Sequence, residues 1–158
     1  MGRMRTAEQL RYLVLAAQLE GRRQWSATLR PLDLTPSQAE VLRVLQDHGP
    51  LSVGALGTLL VCESGTNPSR LVDRLVERAL VDRRPDPEDA RAVVLSLTRE
   101  GVKKADRVNE LEQLMYEELD KVSGRDAAAT IRFLTRYVHG TPVGDSFGRR
   151  QQASPRST

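Results

Sequence analysis

The chain has 158 residues, of which 28% are charged and only 4% aromatic, with a formal net charge of +3 and a single cysteine. That length suits one domain with a true core, and the composition makes that core mainly Leu, Val and Ala, which favours helices. It excludes an internal disulfide framework, a metal-binding spacing of His and Cys, and any membrane span of about eighteen apolar residues.

Met1–Thr6 leads straight into an amphipathic segment without the apolar stretch of a signal peptide, so a reducing cytoplasm is the expected compartment for the lone Cys62. A first helix is expected over 6–29. Leu10, Leu13, Val14, Ala17 and Trp25 mark its apolar face, with Arg11, Gln18, Arg22 and Arg23 elsewhere and Trp25 as a packing anchor. Pro31 ends it. Thr35-Pro36-Ser37-Gln38 then reads as a capping box with proline at the first helical position, and His48-Gly49-Pro50 stops that second helix. Its core face is Val41, Leu42, Val44 and Leu45. Ser52 can cap a short third helix through Leu60, with Leu56, Leu59 and Leu60 inward. Gly54 and Gly57 make it a poor isolated helix; either tertiary contacts hold it, or the glycines admit a neighbouring helix closely.

Residues 64–80 read as a fourth helix, completing a trihelical helix-turn-helix in which it is the reading element. Leu71, Leu75 and Ala79 recur at helical spacing, widened by Val72 and Val76, against Arg70, Asp73, Arg74, Glu77 and Arg78. Its start has two readings: Ser64 as cap, or Asn67 as cap with Pro68 at the first helical position. Either way Ser64, Thr66, Asn67, Ser69 and Arg70 crowd the N-terminal end, where hydrogen-bonding side chains and the helix dipole suit phosphates and base edges. The period then changes: Val93, Leu95 and Leu97 alternate with Val94, Ser96 and Thr98, the spacing of a half-buried strand. Between helix and strand, residues 84–91 hold two prolines and five charges, the composition of an exposed hairpin tip. The fold expected is therefore mainly α with a small β-hairpin wing. In such a winged helix the helix enters a DNA major groove and the loop reaches the adjacent minor groove.

Thr98 caps a long helix to about residue 122, whose Val102, Ala105, Val108, Leu111, Met115, Leu119 and Val122 form a seam for another helix. Gly124 breaks it, and a last helix over 125–139 turns Ala128, Ile131, Leu134 and Val138 inward. Residues 140–158 lose periodicity and gain Gly, Ser and Pro, and are expected to be a disordered tail with Arg149 and Arg150 solvated. The winged core over 31–98 needs neither flank. Residues 6–30 and 99–139 are thus expected to form a helical dimerisation region, and a two-fold dimer would present two reading helices to a pseudo-palindromic site. The charge count points the other way. From Glu63 to Arg91 six arginines face seven acids, so the reading head is close to neutral unless folding sorts the charges.

The order of elements, with Leu71-Val72-Asp73-Arg74-Leu75, Leu80-Val81-Asp82-Arg83, Asp89-Ala90-Arg91 and Leu95-Ser96-Leu97-Thr98-Arg99-Glu100-Gly101, resembles the multiple antibiotic resistance regulator (MarR) family of bacterial transcription factors. The resemblance spans residues 10–138. It implies a dimer with intertwined terminal helices that binds double-stranded promoter DNA, acts as a repressor, and releases the DNA on meeting a small-molecule effector or an oxidant. By the same resemblance Arg91 is the wing arginine of the minor groove, Asp89 the acid that holds the wing, and Ser69 and Arg70 reading-helix positions. Arg74, on the polar face of that helix, joins Ser64, Thr66 and Asn67 as a further candidate contact. Ala90 stands where a second basic residue is common, and Ala79 where a glycine is common. No role carries over to Cys62, expected to be a small buried residue. No cofactor is implied, and no Ser/His/Asp or Cys/His constellation suggests an enzyme. The competing reading is a winged helix used for protein–protein contact without DNA.

Overall fold

The computed structural model describes residues 4–63 and 65–153. The chain divides into two compact units, Met1–Pro36 and Ser37–Thr158. In the first, α1 (Thr6–Leu29) runs unbroken for 24 residues and passes into one 3-10 turn, Arg30–Leu32, that closes on Asp33 in the left-handed region at φ 54°. Pro31 sits in that turn, where its missing N–H is no loss. Trp25 and Val14 are half-buried, but Leu10, Leu13 and Leu19 are exposed, Leu13 at 65%.

The second unit holds α2 (Pro36–His48, counted from the preceding proline), α3 (Val53–Leu59), α4 (Ser69–Glu77), β1 (Val81–Pro85), β2 (Val93–Leu97), α5 (Arg99–Ser123), α6 (Ala127–Val138) and α7 (Pro142–Ala153). Its core is one cluster: Val41, Leu42, Val44 and Leu45 of α2, Leu56, Leu59 and Leu60 around α3, Val72 and Leu75 of α4, then Leu80, Val81, Leu95, Ala105 and Val108. Burying each of these larger aliphatic side chains contributes roughly 1.5–3 kcal/mol. Ser52 caps α3, its hydroxyl accepting the Ala55 N–H at 3.1 Å. Gly57 admits its neighbour: a Cβ there would lie 3.3 Å from the Pro68 ring.

The strands pair antiparallel, Val81 opposite Leu97 through Pro85 opposite Val93, as a hairpin wing. Leu51 adds a third, one-residue rung, exchanging both backbone hydrogen bonds with Leu95 at 3.1 and 2.7 Å. No periodicity marks that rung, because a single residue has none. Leu95 is buried, whereas Val93 at the loop end is exposed, so the alternation is realised only near the helical core.

Two expectations need correction. The reading helix is shorter than 64–80: it spans Ser69–Glu77, and the described residues before it form turns. Ala79 leaves the apolar stripe altogether. It takes φ 54°, with its N–H on the Val76 carbonyl and the Leu80 N–H on the Leu75 carbonyl, both at 2.9 Å. This is a Schellman closure built on alanine where glycine is the easier residue. Thr98 then ties the wing to the end of α4. Its N–H donates to the Leu80 carbonyl at 3.1 Å and its hydroxyl to the Ala79 carbonyl at 2.7 Å, while that same hydroxyl accepts the Gly101 N–H at 2.9 Å. A Cβ on Gly101 would lie 1.9 Å from the Leu80 oxygen, so the Thr-x-x-Gly spacing is a packing requirement.

The second correction concerns the C-terminal segment. Residues 142–153 form α7, packed on α3, with Ser146 buried; 154–158 lie outside the described residues. The helix begins at Thr141-Pro142, the same Thr-Pro signature that opens α2, with the Gly144 N–H on the Thr141 hydroxyl at 3.2 Å. The glycines there serve packing rather than disorder. Gly140 turns the chain at φ 73°, and a Cβ on Gly144 would fall 2.1 Å from the Val138 oxygen. On α5 the expected seam is buried at Ala105 and Val108 and half-buried at Leu111; Val102, Met115, Leu119 and Val122 are exposed, as are Leu114 beside it and Ile131 and Leu134 of α6.

Candidate nucleic-acid interface

Three elements project the candidate residues: the turn before α4, the outward face of α4, and the wing. In the turn, Thr66 folds back on Glu63, its N–H and hydroxyl reaching the Glu63 carbonyl at 3.1 and 2.8 Å. Asn67 is the effective cap of α4: its side-chain oxygen accepts the Ser69 N–H at 2.9 Å and the Ser69 hydroxyl at 2.6 Å. That is the second of the two starts read from the sequence, with regular helix beginning one residue later, at Ser69. Ser64 lies outside the described residues. Thr66, Asn67 and Ser69 are thus gathered in one place, but their side chains are engaged in holding the helix start.

Arg70 and Arg74, four residues apart, share the exposed face of α4, opposite the buried Val72 and Leu75. In the wing, Asp86 and Asp89 organise the tip through backbone contacts. The Asp86 carboxylate accepts the Glu88 N–H at 2.9 Å, and the Asp89 carboxylate accepts the Arg91 N–H at 3.0 Å. The Asp86 N–H donates to the Ala92 carbonyl and the Ala92 N–H to the Asp89 carbonyl, both at 2.9 Å. Arg91 therefore sits on a turn that its neighbouring acid holds, with its guanidinium exposed.

Folding engages two of the arginines with two of the acids. Arg83 pairs with Asp73 of α4 at 2.5 Å, and Arg84 pairs with Asp82 along β1 at 3.0 Å. Two acids thereby take up the two arginines of β1 in exposed ion pairs. Arg70, Arg74 and Arg91 have no ion pair among the described residues. The three arginines left without an ion pair thus stand on the reading helix and the wing tip, beside Glu77 of α4 and the tip acids Asp86, Glu88 and Asp89, a placement that the count of six arginines against seven acids does not give.

Cys62 lies beside this surface. It is exposed, contrary to the buried residue expected, because it falls on the turn after α3 rather than inside a helix. Its thiol is nevertheless hemmed in by protein atoms and the Glu40 carboxylate, and this desolvation, with the negative charge, pushes its pKa up to about 12. Such a thiol stays protonated at neutral pH and is a poor nucleophile. Sequence reading passed over Glu40 and expected Arg150 to be solvated, but the two shape the turn from behind: Glu40 accepts the N–H groups of Val61 and Cys62, both at 2.8 Å, and pairs with Arg150 at 2.7 Å. A glutamate in mid-helix and an arginine 110 residues later carry no local signal of contact.

A trihelical core with a hairpin wing and a projecting helix, both carrying arginines that have no ion pair among the described residues, defines a winged helix-turn-helix protein. The sequence profile of the MarR family matches residues 32–92. The multiple antibiotic resistance protein MarR of Escherichia coli is 32% identical over 111 residues, 70% of this chain and 76% of that protein. An organic hydroperoxide resistance transcriptional regulator of Bacillus subtilis is 33% identical over 98 residues, 62% of this chain and 66% of that one. Among solved structures, a mutant of Escherichia coli MarR complexed with operator DNA aligns with a TM-score of 0.69 at 28% identity, covering 83% of this chain and 94% of that one. The chain belongs to the MarR family of transcriptional regulators. No helix among the described residues is long and apolar enough to cross a membrane.

Proposed function

We propose that this chain represses transcription by binding a pseudo-palindromic promoter site as a homodimer. Helix α4 enters the major groove, and Arg91 reaches the neighbouring minor groove. The observation that carries this reading is the placement of three arginines: Arg70, Arg74 and Arg91 are exposed and, among the described residues, without ion pairs on the two elements that project from the core, while Arg83 and Arg84 are held by Asp73 and Asp82. The Escherichia coli relative in complex with operator DNA supports it by likeness.

Dimerisation is supported by surface that one chain leaves uncovered. Leu10, Leu13 and Leu19 of α1 are exposed, as are Leu114, Leu119 and Val122 of α5 and Ile131 and Tyr137 of α6, with Val122 at 85%. Apolar rows of this length on separate helices are disfavoured in water and are the usual signature of an obligate interface. The terminal helices are therefore assigned to the dimer and residues 31–98 to DNA. Operator fragments selected from genomic DNA should shift with the dimer, with affinity falling steeply as salt rises, because each phosphate contact releases counterions. Repeating the titration with candidate small molecules and oxidants tests the release that the resemblance implies. No binding to any duplex at low salt, together with a stable complex with another protein, would favour the reading of the wing as a protein-contact surface.

A further inference from the structure

Behind the reading head the chain makes a second polar construction that DNA contact does not explain. After α3 the backbone becomes extended at Leu60 (ψ 124°), so the amides of Val61 and Cys62 have no helical partner. The Glu40 carboxylate takes both, one oxygen to each N–H at 2.8 Å. Its side chain is only 9% exposed, and a carboxylate so placed needs a compensating cation. Arg150, in the last turn of α7, supplies it at 2.7 Å. The adjacent Arg149 donates Nε–H to the Thr58 carbonyl at 2.9 Å, meeting one of the orphan carbonyls at the end of α3. At the other end of α7, Pro142 lies against Gly65, 3.6 Å from where a Cβ would stand. Ser37 completes the bracket from α2, donating to the Glu63 carboxylate at 2.7 Å. Thr58, Val61, Cys62, Glu63 and Gly65 are thus gripped from two sides shortly before Asn67 and Ser69 start the reading helix.

From this geometry we infer that α7 is a brace for the helix-turn-helix, and that Arg150 and Glu40 are positioning residues that fix where α4 begins without touching DNA. The inference rests on the DNA-binding reading for its functional consequence, but its structural half can be measured without DNA. Arg150 aligns the Glu40 carboxylate; Glu40 holds the Val61 and Cys62 amides; those amides set the path of the turn into Asn67.

The test uses the full chain and four variants: Arg150→Gln, Arg150→Lys, Glu40→Gln and the Arg150→Gln/Glu40→Gln double. Binding to a selected duplex is measured across a salt series, and amide hydrogen exchange is followed at Val61 and Cys62, with circular dichroism verifying that each variant is folded. Arg150→Gln and Glu40→Gln should each weaken binding about tenfold, the loss expected for a charged hydrogen bond, and the double should be no weaker than Glu40→Gln alone. Arg150→Lys should recover most of the affinity. The salt slope should match the unaltered chain, and the two amides should exchange about tenfold faster or more. Binding that falls together with a slope reduced by about one, while the amides stay protected, would make Arg150 a phosphate contact and overturn the brace. Unchanged affinity with unchanged exchange would overturn it as well. If the unaltered chain binds no duplex at all, the functional reading fails, and exchange at the two amides alone decides whether the brace exists.

Discussion

On the outward face of α4 and at the wing tip, Arg70, Arg74 and Arg91 stand exposed without ion pairs among the described residues, whereas behind the helix-turn-helix Arg43 and Arg150 reach the part-buried carboxylates of Glu112, at 2.9 Å, and Glu40, at 2.7 Å. The residue type is the same on both sides. A guanidinium withdrawn from water must be matched by an anion of its own chain, and once matched it has no charge to offer a phosphate. One left in solvent keeps its charge for a partner. The Arg-Arg pairs at 83–84 and 149–150 look alike in sequence, yet the structure turns the first to Asp73 and Asp82 and the second to Thr58 and Glu40.

The front of that comparison breaks most visibly if its three arginines are removed together. The Arg70→Ala/Arg74→Ala/Arg91→Ala variant should lose about a thousandfold in operator affinity and about three units of salt slope, with unfolding free energy changed by about 0.5 kcal/mol or less. Fluorescence titration over a salt series and urea unfolding measure both; a large loss of stability would place those side chains in the fold instead. A second contrast lies at Cys62, exposed like the front arginines but tuned from behind by desolvation and Glu40. With its pKa raised from 9.0 to about 12, its thiolate fraction at neutral pH should be about a thousandfold below that of an ordinary thiol, and alkylation followed by mass spectrometry should be slowed accordingly. The sign is that of a raised pKa: reactivity appears only as pH climbs towards 12. Rapid labelling near neutral pH would contradict it.

At the back, the pair that does not touch the turn before α4 should fail in stability rather than in affinity. Arg43 and Glu112 are 13% and 14% exposed, so Arg43→Ala strands a carboxylate between α2 and α5 and should destabilise the fold by about 3 kcal/mol, read from the midpoint of urea unfolding. The smallest effect concerns neither set. Ala79→Gly removes a left-handed alanine from the end of α4 and should stabilise the fold by about 0.5–1 kcal/mol, with operator affinity unchanged. If thermal unfolding shows no gain, the left-handed conformation carries no strain there.

Most of the architecture is legible in the sequence because its signals are local. The capping Ser52, the helical spacing through Val72 and Leu75, the Thr98 cap and the alternating strand around Leu95 each act within a turn or two of chain. Helix α4 is shorter than its periodicity suggests, since Ala79 has the right spacing for the apolar stripe but bends out of the helix to meet the Thr98 hydroxyl. Helix α7 escapes sequence reading for a related reason. Gly140 and Gly144 suggest a loose tail until Val138 is placed beside them and the second glycine proves to be a contact surface.

By itself, then, the order of apolar periods, caps and breakers determined a winged helix-turn-helix with long flanking helices, because helix and strand formation depend on residues within a few positions of each other. Which arginines stand outside an ion pair, where the reading helix starts, and what the last twelve helical residues cover were decided only in three dimensions. Those outcomes depend on groups 10 to 110 residues apart, such as Asp73 with Arg83 and Glu40 with Arg150, and burial, which sets their partners, is a property of the packed chain.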